Sequence, residues 1–222
     1  MLSGREIQRQ RGAGKIVIEP ALDQANANSY NLRLGPQILI YQKTAPLLAY
    51  WADQYDLWRR AQSSGFQWVT LDPPPFCEPL DMAVEEATVA LEIPPGKGLV
   101  LWPGMLYLGH TLEYTETHGF VPCIEGRSSV GRLGMCVHAT AGFGDVGFCG
   151  DFTLEMSMIH ALRVYPGTAV CQLAYYPVEG ETEDYRGKYQ GQRGPKASRL
   201  WKEFERKVHA PQEEPRGQQR PP

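Results

Sequence analysis

No apolar run in this 222-residue sequence approaches the length that a membrane-spanning helix needs, and its amino terminus lacks the basic-then-apolar pattern of a secretory signal. A cytoplasmic protein, or a viral one made in a host cytoplasm, is expected, with no membrane partner. An excess of one charge is also missing: 22 Lys and Arg stand against 25 Asp and Glu, a net charge of −3. No global field attracts nucleic acid, so any polyanion must be held by a local cluster. The five cysteines, Cys77, Cys123, Cys136, Cys149 and Cys171, are odd in number and contain no C-x-x-C pair. That speaks against a disulfide framework or a zinc site and for buried, reduced thiols.

What is present is β-forming text cut by turns. The chain holds 23 Gly and 18 Pro, and its short apolar runs are separated by Pro94-Pro95-Gly96, Pro103-Gly104 and Pro166-Gly167. Many short strands in a mostly-β barrel or jelly roll follow from that punctuation. The length suits one core. A single domain is expected over residues 1–199, with an irregular insertion around 41–92 and a carboxy-terminal helix and disordered tail over 200–222.

Within that frame, Ser3-Gly4-Arg5-Glu6 has the form of a capping box, predicting a short helix stopped by Gly12 and Gly14. Residues 16–18 and 31–34 read as strands. In the insertion, Trp51, Tyr55 and Trp58 recur at helical spacing, and Asp72-Pro73-Pro74-Pro75 marks a rigid loop. An aromatic stripe of this kind reads as packing or interface rather than base stacking. Residues 98–178 alternate strand and turn. Beyond Glu179 the polar, glycine-rich text suits a mobile flap, and residues 198–208 predict a last helix with Trp201, Phe204 and Val208 on one face.

The chemistry concentrates between Ile124 and Glu155. Glycines there let backbone N–H groups approach an anion, Arg127 and Arg132 can pair with phosphate oxygens, and Ser128 and Ser129 can donate to them. From Phe152 to Met158 the pattern alternates, with Phe152, Leu154, Met156 and Met158 on one face and Thr153, Glu155 and Ser157 on the other. Glu155 therefore points away from the core, beside an anion-binding loop, where a carboxylate needs a chemical reason. Gly142, Gly144 and Gly147 satisfy G-x-G-x-x-G, but the text that follows is a strand and not a helix, so the dinucleotide reading fails. These glycines instead predict a tight turn presenting Asp145. Lys188, Gln192, Arg193 and Lys196 form a basic stretch able to close over phosphates. His138, next to apolar Val137, reads equally as structural or functional.

The runs EGRSSVGRLGM, HATAGFGDVGF, FTLEM and KYQGQRGPKASR, together with the opening MLSGREI and the segment SYNLRLG, resemble the dCTP deaminase branch of the trimeric dUTPase superfamily. The resemblance implies a distorted jelly-roll β-barrel of the dUTPase type, homotrimeric, with sites at subunit interfaces and a dCTP or dUTP nucleotide as partner. It assigns Glu155 as catalytic base, with Arg132 and Ser128 assisting the water and the developing charge. Backbone near Ala141 holds the water, and Asp145 meets the deoxyribose and the water of phosphate cleavage. Arg127, Ser128, Ser129, Arg132, His138, Ala139, Thr140, Ala141, Asp145, Lys188 and Gln192 form the implied substrate set. Mg²⁺ is expected on the triphosphate with no direct protein ligand. The zinc deaminase signature, H-x-E followed by P-C-x-x-C, is missing, so zinc is not expected.

Three positions depart from the pattern: Asn31 stands for a common Asp, Val146 for a common Pro, and Gly144 for a bulky residue. They loosen the expected turn geometry more than the chemistry. The segments at residues 140–143 and 188–195 resemble the bifunctional, dUMP-forming members more than the dUTP-releasing ones. The product, dUTP or dUMP with pyrophosphate, stays open at this level. Two further readings stand beside the deaminase: a dUTPase, and a non-catalytic nucleotide-sensing or partner-binding module.

Overall fold

Runs of β-branched and aromatic residues too short for helices build the protein from strands. The computed structural model describes residues 1–22, 25–63 and 73–209. Residues 211–222, expected to be a disordered tail, lie outside the described residues, as does Asp72 of the proline-rich loop. The helices are α1 (Gly4–Gly12), α2 (Ala45–Ser63), α3 (Ser128–Gly131) and α4 (Trp201–His209). The strands are β1 (Ile16–Glu19), β2 (Tyr30–Arg33), β3 (Gln37–Tyr41), β4 (Thr88–Glu92), β5 (Leu99–Leu101), β6 (Tyr107–Thr117), β7 (Phe120–Gly126), β8 (Met135–Cys136), β9 (Cys149–Met158), β10 (Leu162–Val164) and β11 (Ala169–Pro177).

One antiparallel sheet runs β4-β3-β6-β9-β8, with β1 also on β6, and a second runs β2-β11-β7. The short β5–β10 pair stands apart from both. Alternate residues of both main sheets meet in one core, including Ile16, Ile18, Tyr30, Leu32, Ile38, Ile40, Tyr107, Leu154, Met156, Leu173 and Tyr175. This is the mostly-β architecture expected. The Pro-Gly turns form as read, with Gly96, Gly104 and Gly167 at φ of 72°, 76° and 78°, a region that disfavours side chains. Among the described residues, no helix is long and apolar enough to cross a membrane.

Local details refine several expectations. The Ser3 hydroxyl accepts the Glu6 N–H at 3.3 Å, while the Glu6 carboxylate binds Arg9 and Gln10, so only half of the capping box is made. That pairing holds the Glu6 carboxyl down at about 2, with the Arg9 bond as the main cause. The insertion is less irregular than its composition suggested: β4 pairs with β3 from Gln37↔Glu92 to Tyr41↔Thr88. In α2, Trp51 stacks on Trp102 with centroids 6.1 Å apart, Tyr55 leans on the same ring, and none of the helix residues is buried. The cysteines are all free; Cys123 and Cys171 are buried, whereas Cys136 is exposed.

The feature that shapes the site is a register shift in β6, between His110 and Tyr114, opposite β9. It carries Glu113 fully inside, where its carboxylate takes the Arg33 Nε at 2.5 Å and the Arg33 backbone N–H at 2.7 Å. Thr111, also buried, accepts the Phe152 N–H at 2.9 Å. Through these bonds the irregular stretch of β6 is tied to β2 and to β9.

Candidate active site

β9 carries the site because its period of two sends Leu154, Met156 and Met158 into the core and leaves Thr153, Glu155 and Ser157 half-buried on the other face. Phe152 departs from the expected alternation. It is only partly buried, packs on Phe148 with centroids 5.0 Å apart and joins Thr153 and Glu155 along a cavity of about 470 Å³. The register shift in the facing strand accounts for the break, because the ladder that enforces alternation is interrupted beside Phe152. The cavity lies within the size range of small-molecule sites, and its walls are apolar with a few convergent polar groups. Leu106, Leu108, Phe148 and Phe152 give the apolar surface; Asp145, Glu155, Gln192 and Lys196 give charge and hydrogen-bonding groups.

Glu155 is held from outside β9. Its Oε2 accepts the Ala139 N–H at 3.0 Å, the one hydrogen bond of this carboxylate among the described residues. A backbone donor fixes the direction of the carboxylate without neutralising it as a cationic partner would. The glycines of the following loop let it run close to β7. Gly142 O accepts the Ile124 N–H at 2.7 Å and Gly144 N–H reaches Pro122 O at 2.8 Å. A Cβ on Gly142 would sit 2.9 Å from Ile124 O, too close to fit. The turn ends with Phe148 N–H on Asp145 O at 3.2 Å, and no helix follows. Asp145 and Ala141 face the cavity, and Phe143, 76% exposed, stands at its mouth.

The third wall is the segment after residue 184, expected as a mobile flap. In the structure it is fastened along the start of β9. Tyr185 N–H binds Val146 O at 2.7 Å, Gly191 N–H binds Cys149 O at 2.8 Å, and Asp151 N–H binds Gln192 O at 3.0 Å. Lys196 N–H reaches Thr153 Oγ1 at 3.1 Å, and Ser198 N–H reaches the Tyr41 hydroxyl at 3.1 Å. Gln192 is buried and spends its Nε2 on Asp151 O, leaving its buried Oε1 without a hydrogen-bond partner among the described residues.

The expected site residues divide into two groups. Ala141, Asp145, Glu155 and Gln192 line one cavity, and Ala139 bonds to Glu155. Thr140 is exposed on the same loop. Arg127, Ser128, Ser129 and Arg132 do not line it. They lie on and beside α3, which leads into β8 at the Met158 end of β9, and Ser128, Ser129 and Arg132 are exposed. The Arg127 side chain donates to Ala169 O at 2.9 Å. Lys188 is paired with Glu203 of α4, and His138 Nε2 lies 3.7 Å from the Glu125 carboxylate. Tyr41, Tyr185, Tyr189 and Ser198 line the cavity unforeseen. Tyr189, beside Lys188, carried the nearest signal; Tyr41, at the end of an unremarkable strand, carried none.

A family model described as dCTP deaminase-like matches residues 1–178. The chain belongs to that family. Among its relatives, the protein named "dCTP deaminase, dUMP-forming" of Cytophaga hutchinsonii is 44% identical over 208 residues, 93% of this chain and 99% of the relative. Proteins of the same name from Leptospira biflexa and Hathewaya histolytica are 44% and 42% identical, each over 99% of its own length. The crystal structure of 2'-deoxycytidine 5'-triphosphate deaminase from Agrobacterium tumefaciens shares the fold, with a TM-score of 0.51 and 19% identity over 78% of this chain and 47% of that one. This dCTP deaminase-like chain absorbs its three departures locally. Asn31 accepts from the Asn26 amide at 2.9 Å, Val146 is buried, and Gly144 avoids Pro122, whose ring would stand 2.9 Å from a Cβ.

Proposed function

We propose that the protein is a dCTP deaminase that carries its product on to dUMP. The observation that carries this reading is Glu155, aimed by the Ala139 N–H along the wall of a cavity that also presents Asp145. Hydrolytic deamination needs a base near C4 of cytosine, and cleavage of the triphosphate needs a second water directed at the α-phosphate. Two carboxylates in one pocket meet both needs, and the relatives named dUMP-forming favour the double reaction.

In the first step Glu155 takes a proton from water as the oxygen adds to C4 and passes it to N3 of the ring; the hydroxyl proton of the tetrahedral adduct then goes by way of Glu155 to the amino group, the C4–N bond breaks, and ammonia leaves a carbonyl at C4. Water is consumed and dUTP formed. In the second step Asp145 orients a water toward the α-phosphorus, the α–β bond breaks, and dUMP and pyrophosphate result. Gln192 Oε1 and Lys196 serve nucleotide binding, the first as an acceptor and the second as a cation. Among the described residues no three His, Cys, Asp or Glu side chains converge as a metal cage. Mg²⁺ carried by the triphosphate would supply charge neutralisation there.

The exposed Ser128 and Arg132 stand off this cavity, so the reading requires them from a neighbouring copy. A closed homotrimer would let each α3 complete the next subunit's site, with Arg132 and Ser128 stabilising the adduct and Arg127, Ser129, His138 and Thr140 completing the substrate contacts. Lys188 would leave Glu203 to meet phosphate. The enzyme is then cytoplasmic, acting on free nucleotides.

Purified protein incubated with dCTP and Mg²⁺ tests the proposal. Ammonia, dUMP and pyrophosphate in equal amounts are expected. Accumulating dUTP without pyrophosphate would leave a simple deaminase; hydrolysis of dUTP with none of dCTP would leave a dUTPase; binding with no turnover would leave a sensing module.

A further inference from the structure

The strand that carries Glu155 also carries a second carboxylate, four residues earlier, for which the chemistry above has no use. Asp151 is buried, 4% exposed, and three consecutive residues of the segment covering the cavity converge on it. Its backbone N–H binds Gln192 O at 3.0 Å and its carbonyl accepts the Gln192 Nε2 at 2.5 Å. Its Oδ2 accepts the Gly194 N–H at 2.8 Å. Its Oδ1 faces the Arg193 Nε at 3.4 Å, an ion pair without hydrogen-bond geometry, while the Arg193 guanidinium lies 4.9 Å above the Tyr114 ring. Gly194 has φ of 66°, a conformation that L side chains rarely adopt, and in it the N–H reaches the carboxylate.

We propose that Asp151 is a positioning residue for nucleotide binding: its carboxylate clamps residues 193–194 onto β9 so that Gln192 and Lys196, on either side of the clamp, face the cavity. The bonds to its backbone would survive any side-chain change, so the carboxylate is what adds the clamp at Gly194 and Arg193. The Arg193 side chain is 66% exposed, and an ion pair so open to water contributes little. The charge-assisted bond from Gly194 N–H to a buried carboxylate is the stronger element. His110 Nδ1, 3.8 Å from Oδ2, completes the surroundings without bonding to the carboxylate.

This inference rests on the proposed nucleotide chemistry only for its kinetic arm. Losing one charge-assisted bond predicts that Asp151→Ala raises KM for dCTP about tenfold or more. In the same variant kcat changes less than about threefold, because Glu155 and Asp145 stay in place. Asp151→Asn keeps an acceptor for the Gly194 N–H and should restore most of the loss. Trypsin gives a readout that needs no turnover: cleavage after Lys188 should quicken about tenfold in Asp151→Ala, less in Asp151→Asn, and slow again with saturating nucleotide. Should Asp151→Ala fail to fold, Asp151→Asn carries both readouts, with smaller shifts in the same direction. Unchanged KM and unchanged cleavage in a folded variant would overturn the clamp. A fall in kcat at constant KM would do so as well, since it would place Asp151 in the chemistry. A wild-type protein inert toward dCTP would sink the functional reading and leave the cleavage test intact.

Discussion

Replacing Glu155 by Gln tests the chemistry at its narrowest point. The substitution keeps the shape of the side chain, and the amide oxygen can still accept the Ala139 N–H now bound by Oε2 at 3.0 Å. The loop that ends in Asp145 therefore has no reason to move, and Gln192 and Lys196, which bond to Asp151 and Thr153 rather than to Glu155, are untouched. What disappears is the ability to take a proton. A positioned general base contributes about 10²–10⁴-fold, so the barrier to deamination should rise by about 3–5 kcal/mol. Binding of dCTP should change by no more than about threefold, since the lost group acts mainly on the transition state. Ammonia release under saturating dCTP gives the first number and calorimetric titration the second. Supplying dUTP directly to the variant adds a control, because that step draws on Asp145 and should be spared relative to deamination. Turnover of dCTP within tenfold of the wild type would refute Glu155 as the base. A large loss of binding would refute the geometry instead, by showing that the carboxylate holds the nucleotide rather than the water.

Three other outcomes follow from the same structure. If neighbouring copies share each site, equal mixing and reassembly of Glu155→Gln and Arg132→Ala subunits should restore about a quarter of the wild-type sites, whereas sites built within one chain would regain nothing. Arg33→Met would leave the fully buried Glu113 carboxylate with only the Arg33 backbone N–H at 2.7 Å, and urea unfolding at fixed protein concentration should show a loss of about 3–5 kcal/mol; a loss below about 1 kcal/mol would mean that water already reaches the pair. Burial holds the His110 imidazole below its ordinary value of 6.5, against the raising effects of the Thr111 carbonyl and Asp151. The unfolded chain then binds that proton more tightly. Its contribution to stability is complete above about pH 6.5 and is lost as pH falls through the depressed folded value, so denaturation midpoints should drop on acidification and drop less in His110→Gln.

The legible parts of this protein were those governed by short-range periods. The two-residue period from Phe152 to Met158 placed Glu155 off the core, and Pro-Gly pairs located turns whose glycines take positive φ. The capping serine of α1 was equally readable, although its partner Glu6 is diverted by Arg9 and Gln10. Failures came where a distant strand decides the outcome. Phe152 leaves the core face because β6 shifts register opposite it, and nothing in residues 152–158 encodes that shift. β4 escaped notice because most of its residues are exposed, so burial leaves little alternation in the text. The docking of residues 185–198 combines backbone bonds with side-chain bonds from Gln190, Gln192, Asp151, Thr153 and Tyr41, partners that are distant in the sequence from one another. Polar, glycine-rich composition therefore suggested mobility where these long-range bonds supply attachment.

That attachment bears on how one pocket would serve the two proposed reactions. A freely swinging cover would release the uracil nucleotide between steps as readily as the final product. Here the cover is tied to the strand that bears Glu155, through bonds to Cys149, Asp151 and Thr153. The anchors lie toward the start of β9, whereas β8, which follows α3, pairs with its last two residues. Glu155 is gripped by one loop residue, Ala139, and Asp145 stands six residues further along the same loop. One loop thus relates the two carboxylates to each other, so on the proposed mechanism the second hydrolysis needs a new water but no second arrangement of the protein. On the proposed mechanism deamination and phosphate cleavage would differ in which carboxylate the water meets, and the nucleotide would keep its seat for both.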